Sequence, residues 1–270
     1  MTIEEIFEKW SLKDKNKQAG VDMWNSMAES FGEHKPPTFD DDNFLRLLQK
    51  HNMLKKDSLV LDVGSGTGKY ALAIAEHCKE VVGIDFSPSM VEIAKQKAAE
   101  KNIVNVDFQC ADWHQLDLKQ NEWEGKFDLV IARMTPAVQS ADTFQKLSLA
   151  SRGWCVLSKP TRRTDPVSDE IRKLIHITEK PESSDTDIIY AFALLWQQGR
   201  LPHLDYEQQL WEMEKTLEQA YGLYINRMKT YRDLSSDEEE KIKQYLQSIA
   251  KDGLVHEDVN TTVTTMYWHV

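Results

Sequence analysis

The chain has 270 residues, enough to bury a sizeable core without disulfide or metal staples. Its formal net charge of -11 disfavours a nucleic-acid substrate, because phosphate backbones are bound by clustered Lys and Arg. The three cysteines form no C-x-x-C pair, the N-terminus is charged, and no apolar run reaches the roughly 18 residues of a membrane helix, so we expect a cytoplasmic protein outside the membrane.

Residues 1–54 predict an N-terminal helical cap. Apolar side chains recur at helical spacing from Ile3 to Trp10, Pro36-Pro37 breaks the helical pattern, and a further helix follows. Trp24 and Phe31 lie in the segment before the break. Two interpretations stay open for them: a substrate contact above the sheet, or a helix face packed on the core.

Residues 57–160 alternate regularly between short apolar strands and helical stretches. This pattern predicts an α/β fold with a doubly wound, mainly parallel sheet and helices on both faces. The predicted strands lie near 59–63, 81–85, 105–109, 127–132 and 154–158.

The C-terminal part predicts helices interrupted by two strands. The strands lie near 204–213 and 259–270, where Thr, Val, Tyr and Trp are enriched. The predicted helices lie near 166–178, 186–199, 214–230 and 236–251. We therefore predict one domain over residues 55–270, whose helical segments 165–200 and 214–252 are candidates for a substrate lid.

A glycine-rich turn follows the first strand, and Asp85 ends the second. This arrangement indicates a nucleotide-type ligand, because glycines allow close approach of backbone and the acid can accept from ribose hydroxyls. The turn lacks the P-loop pattern. It also departs from the dinucleotide fingerprint, since Lys69 occupies the third glycine position and Asp62 would face a pyrophosphate. A ligand with a ribose and an amino-acid end fits better, because Asp62 can face its ammonium group.

The run Asp62-Val63-Gly64-Ser65-Gly66-Thr67-Gly68 resembles motif I of the class I S-adenosylmethionine (SAM)-dependent methyltransferases. The resemblance implies SAM as cofactor and a seven-stranded, Rossmann-like sheet closed by an antiparallel strand pair. It implies that the glycine turn contacts the methionine part, that Asp85 binds the ribose, and that Asp112 accepts from the adenine amino group. The implied cofactor contacts are Asp62, Gly64, Ser65, Gly66, Gly68, Asp85, Phe86, Met90, Asp112, Trp113 and Arg133, the last near the sulfonium.

The resemblance implies methyl transfer by in-line displacement, with the loop around Thr135 near the acceptor. An acidic chain without an N-P-P-Y/F signature favours a small-molecule acceptor over DNA or a protein amide. A general base is needed only if the acceptor loses a proton, and the candidates are His114 and Tyr190. No cluster has metal-ligand spacing, and a monomer or homodimer is expected. Two alternatives are a non-catalytic SAM-binding module and a NAD(P)-dependent oxidoreductase.

Overall fold

The computed structural model describes residues 1–12, 16–178 and 184–270. Its centre is a seven-stranded sheet in the order β3-β2-β1-β4-β5-β7-β6. The first five strands run parallel, and β7 pairs antiparallel with both β5 and β6. The strands are β1 (Leu59–Val63), β2 (Glu80–Asp85), β3 (Val106–Cys110), β4 (Phe127–Arg133), β5 (Ser151–Thr161), β6 (His203–Thr216) and β7 (Leu254–His269). The predicted α/β class with a mainly parallel sheet is confirmed.

Ten α-helices flank this sheet in the described part of the chain. Their ends follow local chemistry: Ser87 caps α5 and Pro88 fills its first position, while Ser235 and Glu238 form a reciprocal capping box on α10. The helices are α1 (Ile3–Lys9), α2 (Lys17–Gly32), α3 (Asn43–Lys50), α4 (Lys69–Ile74), α5 (Pro88–Glu100), α6 (Ala141–Ala150), α7 (Pro166–Leu174), α8 (Ser184–Gln197), α9 (Leu217–Lys229) and α10 (Ser236–Ile249).

The sheet is covered on both faces, which is why the middle positions of its central strands β1, β2 and β4 are mostly apolar. Leu61 and Val63 face the layer that contains α1, α6 and α8. Val60 faces the opposite layer, which contains α3, α4 and α5. Side chains alternate between the faces with period two, so the polar residues at the strand ends are placed by the same register.

Strands β6 and β7 continue past the end of β5 as a two-stranded ribbon, residues 209–216 paired with 254–261. Because β7 is antiparallel to β5, this ribbon projects beyond the carboxyl edge of the parallel strands. Helices α7, α9 and α10 pack on it through a third apolar cluster. Helix α2 joins this region, since Met23 and Met27 contact the same cluster and α2 packs against α5 and α9.

The element boundaries differ from the sequence prediction in a few places. The helix predicted over 166–178 ends at Leu174, where Ile175 leaves the helical conformation and His176 takes φ +55°. Strands β5 and β6 are longer than predicted. Strand β5 has 11 residues, because its start pairs with β4 and its end pairs with β7, and β6 has 14, because its pairing with β7 continues into the ribbon. In the described ranges, none of the helices has the length and apolar character to cross a bilayer. The division at residue 54 stays a prediction.

Candidate functional site

The glycine turn lies at the carboxyl edge of β1, and its backbone requires glycine at two positions. Gly64 has φ +72°, and a Cβ built there would lie 1.9 Å from Oγ1 of Thr135. Gly68 has φ +78°, and its Cβ would lie 2.6 Å from the ring of Phe108. Side chains at these positions would therefore combine left-handed strain with direct overlap. Nothing lies within 4 Å of a Cβ at Gly66, so the backbone there is open to a ligand.

The Asp85 carboxylate fixes this turn from the end of β2. Its Oδ2 accepts a hydrogen bond from the Gly66 amide at 2.9 Å, and its Oδ1 accepts one from the Ser87 amide at 2.9 Å. The side chain is buried, and this burial raises its pKa although the two amides favour the ionised form. Asp85 thus connects the glycine turn to the start of α5.

Asp62 is a second buried carboxyl group, one residue before the end of β1. It is 3% exposed, and burial together with the nearby Asp85 raises its pKa to about 7, against a smaller effect of the Ala71 amide. Two carboxyl groups so close to each other, with little solvent, favour a cation between or beside them. This property suits the ammonium group of an amino acid.

Asp112 follows β3 and makes an ion pair with α2. Its Oδ2 lies 2.5 Å from Nζ of Lys17, and its Oδ1 accepts from the His114 amide at 3.0 Å. Burial opposes ionisation of Asp112, but the Lys17 and His114 contacts outweigh it and lower the pKa. Burial lowers the pKa of His114, and the nearby lysines of α2, α6 and β5 add to this effect against Asp112.

Helix α2 lies across the ends of β1, β2 and β3 and is attached to each of them. Besides the pair at Asp112, Ser87 donates to Oδ1 of Asn25 at 2.7 Å, and Thr67 donates to the backbone oxygen of Phe31 at 3.1 Å. These bonds tie α2 to the three segments that carry the predicted cofactor contacts. The carboxyl edge of the sheet is therefore covered by a helix.

Three buried polar side-chain atoms lack a hydrogen-bond partner in the described ranges, and all three lie at this edge. They are Oγ of Ser65 in the glycine turn, Nδ1 of His114 after β3, and Nε of Arg133 at the end of β4. Buried polar groups are normally satisfied, so a cluster of exceptions indicates a place where a polar ligand completes the bonding. In the described ranges, no group of three or more His, Cys, Asp or Glu side chains suits a metal ion.

The structure does not bring every predicted residue to this edge. Trp113 is 2% exposed and its indole donates to the Thr143 oxygen in the core, and Met90 is equally buried. Tyr190 stacks on Trp10 between α8 and α1. On α2, Trp24 and Phe31 contact each other edge to face, with Phe31 38% exposed. Phe86 lies opposite the α2 backbone; a Cβ built at Gly20 would be 4.0 Å from its ring.

Sequence reasoning missed the setting of Lys159. Its side chain is 3% exposed, and its Nζ lies 3.3 Å from Oδ2 of Asp187. Its Nζ also donates to the backbone oxygen of Val138, in the loop that carries Thr135. Asp187 in turn accepts from the Trp10 indole at 2.8 Å. The partners are far apart in the chain, so no local pattern could reveal this network.

Comparison with known proteins gives both a family model and individual relatives. The family model described as a methyltransferase domain matches residues 54–261. An uncharacterized methyltransferase of Bacillus subtilis (strain 168), YcgJ, is 32% identical over 106 residues, which are 39% of this chain and 40% of that protein. The 23S rRNA (uracil(1939)-C(5))-methyltransferase RlmD of Shewanella amazonensis is 32% identical over 146 residues, which are 54% of this chain and 28% of that protein. The chain thus spans less than half the length of both curated relatives.

Solved structures show the same fold. The crystal structure of YcgJ from Bacillus subtilis superposes with a TM-score of 0.51 at 22% identity, over 83% of this chain and 96% of that chain. A phosphoethanolamine N-methyltransferase 2 from Haemonchus contortus, in complex with phosphomonomethylethanolamine and S-adenosylhomocysteine, has a TM-score of 0.51 at 15% identity, over 100% of this chain and 60% of that chain. Likeness at these identities shows the fold alone.

Proposed function

Because this chain belongs to the class I SAM-dependent methyltransferase family, as the methyltransferase-domain match over residues 54–261 shows, we propose that it transfers a methyl group from SAM to a small molecule. The resemblance seen in the D-V-G-S-G-T-G turn is confirmed by this match. SAM is the cofactor of the family, and the polar edge described above fits it.

The residues at the carboxyl edge supply a group for each part of SAM. We assign the ribose hydroxyls to Asp85, the ammonium group to Asp62 and the adenine amino group to Asp112. Each is an acid at the end of a separate strand, and charged hydrogen bonds of this kind contribute about 1.5–3 kcal/mol each. Oxygens of Asp85 and Asp112 already accept from protein groups, so the cofactor must share or replace those partners.

SAM supplies a methyl group on a sulfonium, which is already a good leaving group. The chain's part is to align the two reactants and to exclude water, effects that together can lower a barrier by about 7–11 kcal/mol. We assign these two tasks to the α2 cover and to the Thr135 loop, which presses against Gly64.

The observation that carries the small-molecule assignment is the state of the basic residues near the end of β5. Lys159 is buried against Asp187, Arg162 pairs with Asp185, and Arg163 pairs with Asp165. Each cation of this cluster thus has a carboxylate beside it, in a chain of net charge -11. Binding to a phosphate backbone needs exposed, unneutralised Lys and Arg, so this edge suits a small acceptor better than RNA.

His114 is our candidate for taking up a proton from the acceptor. Its lowered pKa keeps the imidazole neutral near pH 7, and its buried Nδ1 has no partner in the described ranges. A neutral imidazole can accept a proton as the new bond to carbon forms. Tyr190, the other candidate, packs against Trp10.

The test is methyl transfer from SAM with a radiolabelled methyl group, offered separately to a small-molecule filtrate of cell extract and to total RNA. Label in the small-molecule fraction supports the proposal, and label in RNA refutes the acceptor class. Calorimetric titration with SAM, S-adenosylhomocysteine and NAD precedes it. Binding of NAD without SAM would support the oxidoreductase alternative, and binding of SAM with no transfer to either fraction would support the non-catalytic module.

A further inference from the structure

Arg133 has an unusual setting at the carboxyl end of β4. Its guanidinium lies between two aromatic rings, 4.5 Å from the ring centre of Phe44 on α3 and 4.7 Å from that of Tyr70 on α4. Its Nη1 makes one long hydrogen bond, 3.4 Å, to Oγ of Ser158. The rings hold the plane of the guanidinium fixed by cation–π contact, which is a preorganised setting for a ligand.

The hydrogen-bonding capacity of this guanidinium is only partly used. Its Nε is buried and has no hydrogen-bond partner in the described part of the chain. A guanidinium presents its donors as a rigid fork that matches a carboxylate with two parallel bonds. The Tyr70 hydroxyl, which donates to Oδ2 of Asp42, also contacts the guanidinium, so the edge with the unpartnered Nε is the part of the fork that suits a carboxylate.

Arg133 and Asp62 share one face of the sheet at neighbouring strand ends. Asp62 pairs in register with Ile131, so Arg133, two residues further on, points to the same side. Both also meet the first turn of α4: the Ala71 amide favours the ionised form of Asp62, and the ring of the adjoining residue, Tyr70, lies against Arg133. An acid and a base at this spot form a receptor for a zwitterion.

The geometry points to Arg133 as the group that binds the carboxylate of the cofactor's amino-acid end, while Asp62 receives its ammonium. This inference rests on the proposed function, since it takes SAM as the ligand. It gives Arg133 a role different from the sulfonium contact implied by the resemblance. It also explains why an arginine, and not an apolar residue, lies between two aromatic rings beside the glycine turn.

Lys69 is the competing cation. It precedes Tyr70, and its Nζ lies 5.5 Å from that ring. An ammonium on a flexible chain is a hydrated point charge, whereas the guanidinium of Arg133 is held between two rings and its Nε is buried. We therefore assign the carboxylate to Arg133 and use Lys69 as the matched control.

The experiment measures calorimetric binding of two ligands to the wild type, Arg133→Met and Lys69→Met. The ligands are S-adenosylhomocysteine and its decarboxylated analogue, which keeps the amino group and lacks the carboxylate. We expect Arg133→Met to weaken binding of S-adenosylhomocysteine about 10- to 100-fold, the range for a lost charge-assisted bond. Its affinity for the decarboxylated analogue should equal that of the wild type, and Lys69→Met should bind both ligands as the wild type does.

The outcomes separate this inference from the proposed function. Failure of the wild type to bind S-adenosylhomocysteine would refute the proposed function itself. An equal loss for both ligands in Arg133→Met would show a purely structural role and overturn the inference. So would a carboxylate-dependent loss in Lys69→Met. The methionine keeps apolar volume between the rings, and Arg133→Lys tests the fork, since a point charge should restore only part of the affinity.

Discussion

The substitution Asp62→Asn should make the protein more stable than the wild type at alkaline pH and lower its affinity for the cofactor. Burial and the neighbouring Asp85 raise the pKa of Asp62 from 3.8 to about 7. The folded state therefore binds a proton more tightly than the unfolded state between these two values. By linkage, the free energy of unfolding of the wild type falls as pH rises through this window.

The pKa shift of Asp62 sets the size of the expected change in the free energy of unfolding. A difference of about 3 pKa units corresponds to about 4 kcal/mol, since each unit is worth 1.36 kcal/mol. An asparagine keeps a side-chain oxygen that can accept from the Ala71 amide, but it cannot ionise. The free energy of unfolding of Asp62→Asn minus that of the wild type should therefore rise by about 4 kcal/mol between pH 4 and pH 8.

Urea unfolding followed by circular dichroism across this pH range measures the difference directly. The exposed Asp258, on the ribbon, provides a control, because Asp258→Asn should follow the wild type at every pH. Parallel curves for Asp62→Asn and wild type would refute the reasoning, since they would mean that Asp62 titrates alike in the folded and unfolded chains. The same variant should bind S-adenosylhomocysteine more weakly than the wild type, which would show that the acid contributes to ligand binding.

Three further predictions concern the same edge of the sheet. Wild-type affinity for S-adenosylhomocysteine should increase as pH rises through about 7, because Asp62 then ionises opposite the ammonium, and flat calorimetric affinities would contradict this. Gly64→Ala should lower the melting temperature sharply, because the new Cβ would be strained and would overlap Thr135. Gly125→Ala, also at positive φ but in open space, should lower the free energy of unfolding by only about 1–2 kcal/mol. Equal losses of stability in the two variants would show that the overlap at Gly64 relaxes. Lys159→Met should lower the free energy of unfolding in urea by about 3–5 kcal/mol, because Asp187 stays buried without its ion-pair partner. Adding Asp187→Asn should recover part of this stability. No recovery would mean that loss of the ion pair is not the cause.

The sheet could be predicted because its signals are local. The apolar runs that become β1 and β4 are buried on both faces, and turn residues separate them from the helices. The ribbon is harder to predict, since β6 has a mixed, partly exposed composition and forms its strand-to-strand hydrogen bonds with β7. Its length follows from pairing between segments far apart in the chain, which periodicity does not show.

The candidate site also contains residues that local patterns could predict and residues that they could not. Asp62, the glycines and Asp85 could be placed from spacing, because the strand–turn–helix geometry fixes where they lie. The ion pair of Lys17 with Asp112 and the ring contacts of Arg133 could not, since they join α2, α3 and α4 to strand ends through tertiary contacts. Trp113 shows the converse: a motif position predicted to flank the adenine lies in the core.

The position of β7 has a consequence for how the protein forms during synthesis. This strand follows β6 in the sequence but lies between β5 and β6 in the sheet, so β6 has no neighbour in the sheet until residues 254–269 have left the ribosome. Trp268, which is fully buried and donates to Ser148, completes the packing of α6 only then. The nascent chain must therefore contain an unpaired, 14-residue β6 segment until β7 has been synthesised, a period in which this segment is open to non-native pairing and to chaperone binding.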